Sequence, residues 1–324
     1  MKINLIYMAK PSYGGWVSFT VHLAKKYGFP LYKIGKRTER LKNGELRMRN
    51  FGYGVKYTNI SIEDASKLDN ILITAIDKKY YEYLDSFPNN TGLVIHDPTE
   101  VKGKSTGPVI NNLDRFKIFT IRKTVEKYLK SKFNVNSLFL HHPFYEYPKS
   151  LNSKKTNNIA TSRIDFDKHT DQILLANQNL DKDKKVTIYG AKNDLYVYHH
   201  LTKKLGLDIN ENYGGTFPKS FEYLDSILNN AKYVVDLSAI KNDGGGSQYT
   251  FLEAIYQGAV LVLNNKWIDG TNSIFKDNEN CLVVSNSEEL VKVLNKKTNT
   301  KKLAKNALKL LKPHTEVRWD LIFE

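Results

Sequence analysis

Cysteine is almost missing from this 324-residue sequence, and Cys281 stands alone. That excludes an intrachain disulfide and any zinc site built on cysteine pairs. Long apolar runs are missing too: no window approaches the roughly 18 consecutive apolar residues of a membrane-spanning helix. The apolar stretch in the opening MKINLIYMAKPS is too short for the core of a signal peptide. His141 and His142 are adjacent, as are His199 and His200, but neither pair has a cysteine or carboxylate partner at ligand spacing. Tandem repeats and low-complexity tracts are absent. A soluble cytoplasmic protein with no metal, no membrane insertion and no stable protein partner is the expectation. Acid is the scarcer charge, with 34 Asp+Glu against 49 Lys+Arg and a formal net charge of +15.

That excess is unevenly spread. Residues 1–150 hold 25 basic and 13 acidic side chains (+12), whereas 151–324 hold 24 and 21 (+3). Within the first half, Lys33, Lys36, Arg37, Arg40, Lys42, Arg47 and Arg49 crowd one segment against only Glu39 and Glu45. Phe51, Tyr53 and Tyr57 follow, with Gly44, Gly52 and Gly54 loosening the backbone. A flexible basic loop interleaved with aromatics suits a polyanion, because cations displace counterions and flat rings stack on bases. Lys36, Arg37, Arg40, Lys42, Arg47 and Arg49 are therefore the candidate phosphate contacts. A nucleic acid, an anionic membrane surface or another acidic partner would each fit.

Short apolar runs alternate with helical spacing throughout, which predicts parallel sheet with crossover helices. In the first half the strands are expected at 2–8, 71–75, 92–96, 116–121 and 137–140, with helices at 17–27, 77–87 and 122–133. Residues 145–158 (YEYPKSLNSKKTNN) read as a polar linker. The pattern then restarts with strands at 158–161, 185–189, 233–237, 260–263 and 281–284. Helices are expected at 167–176, 196–205, 220–229, 250–257 and 288–294. The expected architecture is α/β, with two Rossmann-like domains facing across a cleft and ligands at the C-terminal ends of the strands.

Four segments carry chemistry. After the opening strand, Gly14 and Gly15 let the backbone approach a ligand, and the following helix offers free N–H groups to an anion; the spacing is not the GxGxxG of dinucleotide sites. His96 and Asp97 stand at the end of a strand, where an imidazole beside a carboxylate can orient or deprotonate a hydroxyl. Arg163 and Lys168 lie five positions apart at a strand-to-helix junction, where both cations can converge on a diphosphate. Finally, a buried strand ends in Ser238, and Gly244, Gly245 and Gly246 form a loop whose amides can wrap phosphate oxygens or a sugar. The next helix opens near Tyr249, with Glu253 in its first turn to accept two hydrogen bonds from vicinal ribose hydroxyls.

This arrangement resembles the retaining GT-B glycosyltransferases typified by family-4 enzymes. The resemblance implies donor binding by Gly14, Gly15, Arg163, Lys168, Ser238, Gly244, Gly245, Gly246, Ser247, Gln248, Tyr249 and Glu253. It places His96 against the donor sugar, and implies a nucleotide-sugar donor, a UDP-sugar by expectation, with no further cofactor. It also implies an acceptor-binding domain over 1–150, a nucleotide-sugar domain over 151–312, and a terminal helix over 313–324 that crosses back to the first. One departure stands out: the family carries two glutamates separated by seven residues, and Gly245 occupies the first position.

The segments YMAKPSYGGWVSF, IHDP and QYTFLEAIYQGAVLVLNNKW are also similar to counterparts in the DNA α-glucosyltransferases of T-even phages, which glucosylate 5-hydroxymethylcytosine in duplex DNA. That likeness implies transfer from UDP-glucose to a hydroxymethylated pyrimidine in double-stranded DNA, with retention. Asp97 would activate the hydroxymethyl oxygen, and Trp16 or Tyr53 would fill the gap left by an extruded base. Two alternatives stay open: a cell-envelope glycosyltransferase with a saccharide or lipid-linked acceptor, and an inactive DNA-binding protein on a transferase scaffold.

Overall fold

A computed structural model describes residues 2–10, 14–150, 154–238, 248–268 and 274–324. The chain divides into two compact units, Met1–Glu146 together with Pro313–Glu324, and Tyr147–Lys312.

The first unit is built on an eight-stranded sheet. Its strands are β1 (Asn4–Met8), β2 (Leu31–Ile34), β3 (Met48–Gly52), β4 (Val55–Ile60), β5 (Ile71–Ile76), β6 (Gly92–Ile95), β7 (Lys117–Thr120) and β8 (Leu138–Phe139), in the order β3-β4-β2-β1-β5-β6-β7-β8. Every pairing is parallel except β3 with β4 at the edge. β5 and β6 are buried along their whole length, which is why ILITAI and GLVI read as continuous apolar runs. Helix Gly15–Tyr27 stops at Gly28 and helix Lys123–Phe133 at Asn134, both in the left-handed conformation that ends helices. The segment expected as a helix over 77–87 is 3-10 helical, Lys78–Ser86.

The second unit holds a six-stranded, all-parallel sheet. Its strands are β9 (Asn157–Ala160), β10 (Val186–Tyr189), β11 (Tyr213–Gly215), β12 (Ala231–Asp236), β13 (Val260–Asn264) and β14 (Leu282–Val284), in the order β11-β10-β9-β12-β13-β14. This is the doubly wound order in which the chain reverses direction beside the first strand, and the first unit repeats it with β4-β2-β1-β5-β6-β7. Ligands bind such sheets at the reversal, past the strand C-termini. Those points are β1/β5 in the first unit and β9/β12 in the second.

Four expectations are corrected. The basic segment is no flexible loop: β2 covers its start, Arg40 bridges Leu46 in antiparallel fashion, and Arg49 lies in β3. Phe51 cannot stack on bases, because it is buried edge-on against Tyr7, ring centroids 5.1 Å apart. The polar linker is docked: Tyr147 is buried and stacks on Phe221 at 4.6 Å, and the Ser150 backbone N donates to Asp225 Oδ2 at 2.9 Å. The chain's end forms a short helix Lys312–Glu316 and a 3-10 turn Trp319–Leu321 rather than one helix. Trp319 is fully buried against Phe19 and Phe119, and its indole donates to the His141 carbonyl at 2.9 Å.

Candidate active site

In the first unit the site grows from the ends of β1 and β6. Helix Gly15–Tyr27 opens from Gly14, whose φ of 94° and ψ of −175° suit only glycine. The Gly14 carbonyl accepts the N–H groups of Val17 and Ser18 at 3.1 Å each. A Cβ on either Gly14 or Gly15 would meet nothing within 4 Å, so backbone angle, not crowding, demands glycine at 14. Across from this turn, His96 leaves β6 buried, its ring edge-on to Phe19 at 4.9 Å. His96 Nε2 lies 2.8 Å from the Thr74 carbonyl. A carbonyl only accepts, so Nε2 carries the proton and Nδ1 keeps its lone pair. Burial pushes the imidazole down to about 4, which keeps it neutral near pH 7.

Asp97, the hydroxyl-activating base that sequence similarity implies, is half-buried where β6 ends. It caps the 3-10 turn Pro98–Val101, with Oδ1 accepting from Thr99 N at 2.9 Å and Thr99 Oγ1 at 2.7 Å, while Oδ2 pairs with Arg122 at 3.5 Å. Sequence reasoning missed Glu100, which is 6% exposed beside His96. Glu100 Oε2 accepts from the His96 backbone N at 3.1 Å and Oε1 from Trp16 Nε1 at 3.0 Å. Burial raises its carboxyl to about 8.

In the second unit the loop after β9 supplies the cations and the end of β12 supplies Asp236 and Ser238. Arg163 is exposed and pairs with Asp165 at 3.5 Å and Asp167 at 3.2 Å. The ammonium of Lys168, a buried residue, lies 3.8 Å from the same Asp167 carboxylate. The two cations thus converge on one anionic group. Lys168 Nζ also donates to Ser238 Oγ at 3.0 Å, and the Ser238 hydroxyl in turn bonds Asp236 at the end of β12. Gly190 follows β10 with φ 145°, and a Cβ there would stand 2.2 Å from the Ser162 carbonyl, so the loops after β9 and β10 meet only through glycine.

The helix Gln248–Tyr256 begins earlier than its sequence suggests, which moves Glu253 from the first turn to the second. Glu253 is half-buried, and desolvation lifts its carboxyl to about 8. Tyr249 is buried, and burial followed by the Glu253 charge pushes its phenol well up. Gly244, Gly245, Gly246, Ser247 and the side chain of Gln248 lie outside the described residues. Among the described residues no three His, Cys, Asp or Glu side chains converge as a metal site, and no helix is long and apolar enough to cross a membrane.

The predicted phosphate contacts Lys36, Arg37, Arg40, Lys42, Arg47 and Arg49 are all exposed. Arg37, Arg40, Arg47 and Arg49, with Thr38 and Glu39, line a concavity of about 430 Å³. Arg49 holds Glu39 bidentately at 2.7 and 2.9 Å, and this ion pair lowers the carboxyl to about 2. Arg40 Nη1 donates to the Gly44 carbonyl at 2.9 Å.

Residues 145–309, just over half of the chain and nearly all of the second unit, match the family described as glycosyl transferases group 1. The chain belongs to this family. No curated protein is significantly similar to this group 1 glycosyltransferase in sequence. Among solved structures, Anabaena HepE in complex with UDP is similar with a TM-score of 0.64 at 13% identity, over 96% of this chain and 94% of that one. A DNA-modifying β-glucosyltransferase, solved with and without uridine diphosphoglucose, gives 0.57 at 12% identity, over 96% and 94%. S. aureus TarM, in complex with fondaparinux, α-GlcNAc-glycerol and UDP, gives 0.54 at 16% identity, over 74% of this chain and 51% of that one. At these identities the likeness shows the fold, which is GT-B.

Proposed function

We propose that this glycosyltransferase moves a sugar from a UDP-sugar, UDP-glucose foremost, to a hydroxymethylated pyrimidine in double-stranded DNA, with the anomeric configuration retained. The observation that carries the acceptor is the concavity lined by Arg37, Arg40, Arg47 and Arg49 on the unit with the +12 charge bias. Arg37 and Arg47, which make no side-chain hydrogen bond among the described residues, offer forked donors to phosphate oxygens on that surface, and Arg40 and Arg49 add positive charge. The structural likeness to a DNA-modifying β-glucosyltransferase supports a DNA acceptor. The donor is supported by HepE, solved with UDP and with UDP-glucose.

In this reading Arg163 and Lys168 take the diphosphate in place of Asp167, and the amides of 244–247 join them. Their task is to stabilise charge on the departing diphosphate, the main electrostatic demand of glycosyl transfer. Glu253 accepts from the ribose hydroxyls. His96 receives a hydroxyl on Nδ1, holding it without removing its proton.

The test is transfer of radiolabelled sugar from a panel of nucleotide sugars to duplex DNA carrying 5-hydroxymethylcytosine or 5-hydroxymethyluracil, with unmodified duplex as control. Label fixed only on modified DNA is the expected result. The likeness to TarM, solved with α-GlcNAc-glycerol, supports a second reading with a saccharide or lipid-linked acceptor. Donor hydrolysis without transfer to any duplex would favour it; neither transfer nor hydrolysis would leave a DNA-binding protein on a transferase scaffold.

A further inference from the structure

Trp16 and Glu100 are 84 positions apart in sequence and meet beside His96. The two oxygens of Glu100 accept from different elements, one from the indole at the start of helix Gly15–Tyr27, the other from the backbone at the end of β6. A buried carboxyl is costly, and an indole N–H at a helix start is satisfied by water without one. The second anchor on Trp16 is the Thr20 hydroxyl, which donates to the Trp16 carbonyl at 2.8 Å and reaches Thr74 Oγ1 at 2.8 Å. Thr74 is the residue whose carbonyl holds His96. Indole and imidazole therefore sit in one hydrogen-bonded frame, ring centroids 6.5 Å apart and inclined at 63°. Trp16 nevertheless stays partly exposed, next to Gly14 and Gly15, where an added Cβ would meet no described residue within 4 Å. An indole tethered at its N–H cannot swing out as a wedge into a duplex, but it can meet a flat ring brought to it.

We propose that Trp16 is the wall against which the acceptor's pyrimidine ring lies, and that Glu100 is the positioning residue that fixes this wall beside His96. The inference rests on the acceptor reading above and adds what receives the ring. A base taken out of the stack loses its neighbours and regains them on an aromatic side chain.

Steady-state kinetics with modified duplex and donor varied separately test it. Trp16→Ala is expected to raise the KM for duplex by roughly 10- to 100-fold, the range of one lost base–aromatic stack, with the donor KM within about twofold. Trp16→Phe keeps a ring and restores most of the loss. Glu100→Gln sets an amide NH2 against one of two N–H donors, so it raises the duplex KM when Trp16 is present. On the Trp16→Phe background, with no indole N–H to hold, it changes that KM by less than about twofold. A purely structural role for Glu100 would cost the same in both backgrounds. Should Glu100→Gln not fold, Glu100→Asp, too short to reach both donors, takes its place in the same cycle. An unaltered duplex KM in Trp16→Ala, with wild type active, overturns the wall alone, and equal penalties in both backgrounds overturn the positioning role. Wild type inactive on every modified duplex overturns the acceptor reading and the pyrimidine wall together.

Discussion

Burial makes His96 a hydrogen-bond acceptor toward any ligand, because its only proton is committed to Thr74. With the imidazole held down at about 4, no ionisation of this residue falls between pH 5 and 8. Its His96→Gln variant should lower kcat/KM by roughly tenfold, the worth of a lost hydrogen bond, as a parallel displacement across that range. A change in the shape of the pH–rate profile would contradict this. Glu253 behaves oppositely. Desolvation lifts its carboxyl from the ordinary 4.5 to about 8, so the fold favours the neutral acid. That contribution is complete below pH 4.5 and is lost as pH rises through 8. Urea midpoints should therefore fall between pH 5 and 9, less steeply in Glu253→Gln. Glu253→Ala should weaken donor binding roughly 10- to 100-fold, as loss of two hydrogen bonds of about 0.5–1.5 kcal/mol each does, with duplex affinity nearly unchanged; calorimetric titration with each ligand checks the split.

At the scale of elements, the antiparallel edge formed by β3 and β4 sorts the arginines by role. Arg49 closes the edge through Glu39, whose third bond comes from Asn59 Nδ2 at 2.9 Å, whereas Arg37 and Arg47 make no side-chain hydrogen bond among the described residues. Neutralising Arg37 and Arg47 should reduce the slope of log affinity for duplex against log salt by about 0.9 per lost phosphate contact. Arg49→Ala should disturb the edge itself, with faster hydrogen exchange in β3 as the sign. The buried strands were legible as apolar runs because both of their faces are covered. β3 and β4 were not: MRNFG is exposed over its first three residues, and VKYTNI is buried only at Val55, Thr58 and Ile60, so neither offers the apolar run or the strict alternation that marks a strand. Position in the fold was legible for residues that follow a strand end, as Gly14 follows β1, His96 β6, Lys168 β9 and Ser238 β12. Glu100 was not, because its importance comes from a partner 84 positions away and its local sequence, PTEV, signals only a turn.

For the whole molecule, the decisive feature is that the first unit is assembled from both ends of the chain. Trp319 fills its core, Lys26 Nζ donates to the His314 carbonyl at 3.2 Å, and the Tyr27 hydroxyl donates to the Val317 carbonyl. Trp319→Ala should cost the first unit about 3–5 kcal/mol, as large buried aromatics do. A fragment of residues 1–146 should melt well below the same unit in the intact chain, and a peptide of residues 313–324 added in trans should raise its melting temperature. No response to the peptide would mean that the terminal segment is dispensable. The same discontinuity imposes an order on biosynthesis. Trp319 is translated only after every residue of the second unit, so the second unit's core residues are all made while the first unit still lacks this indole.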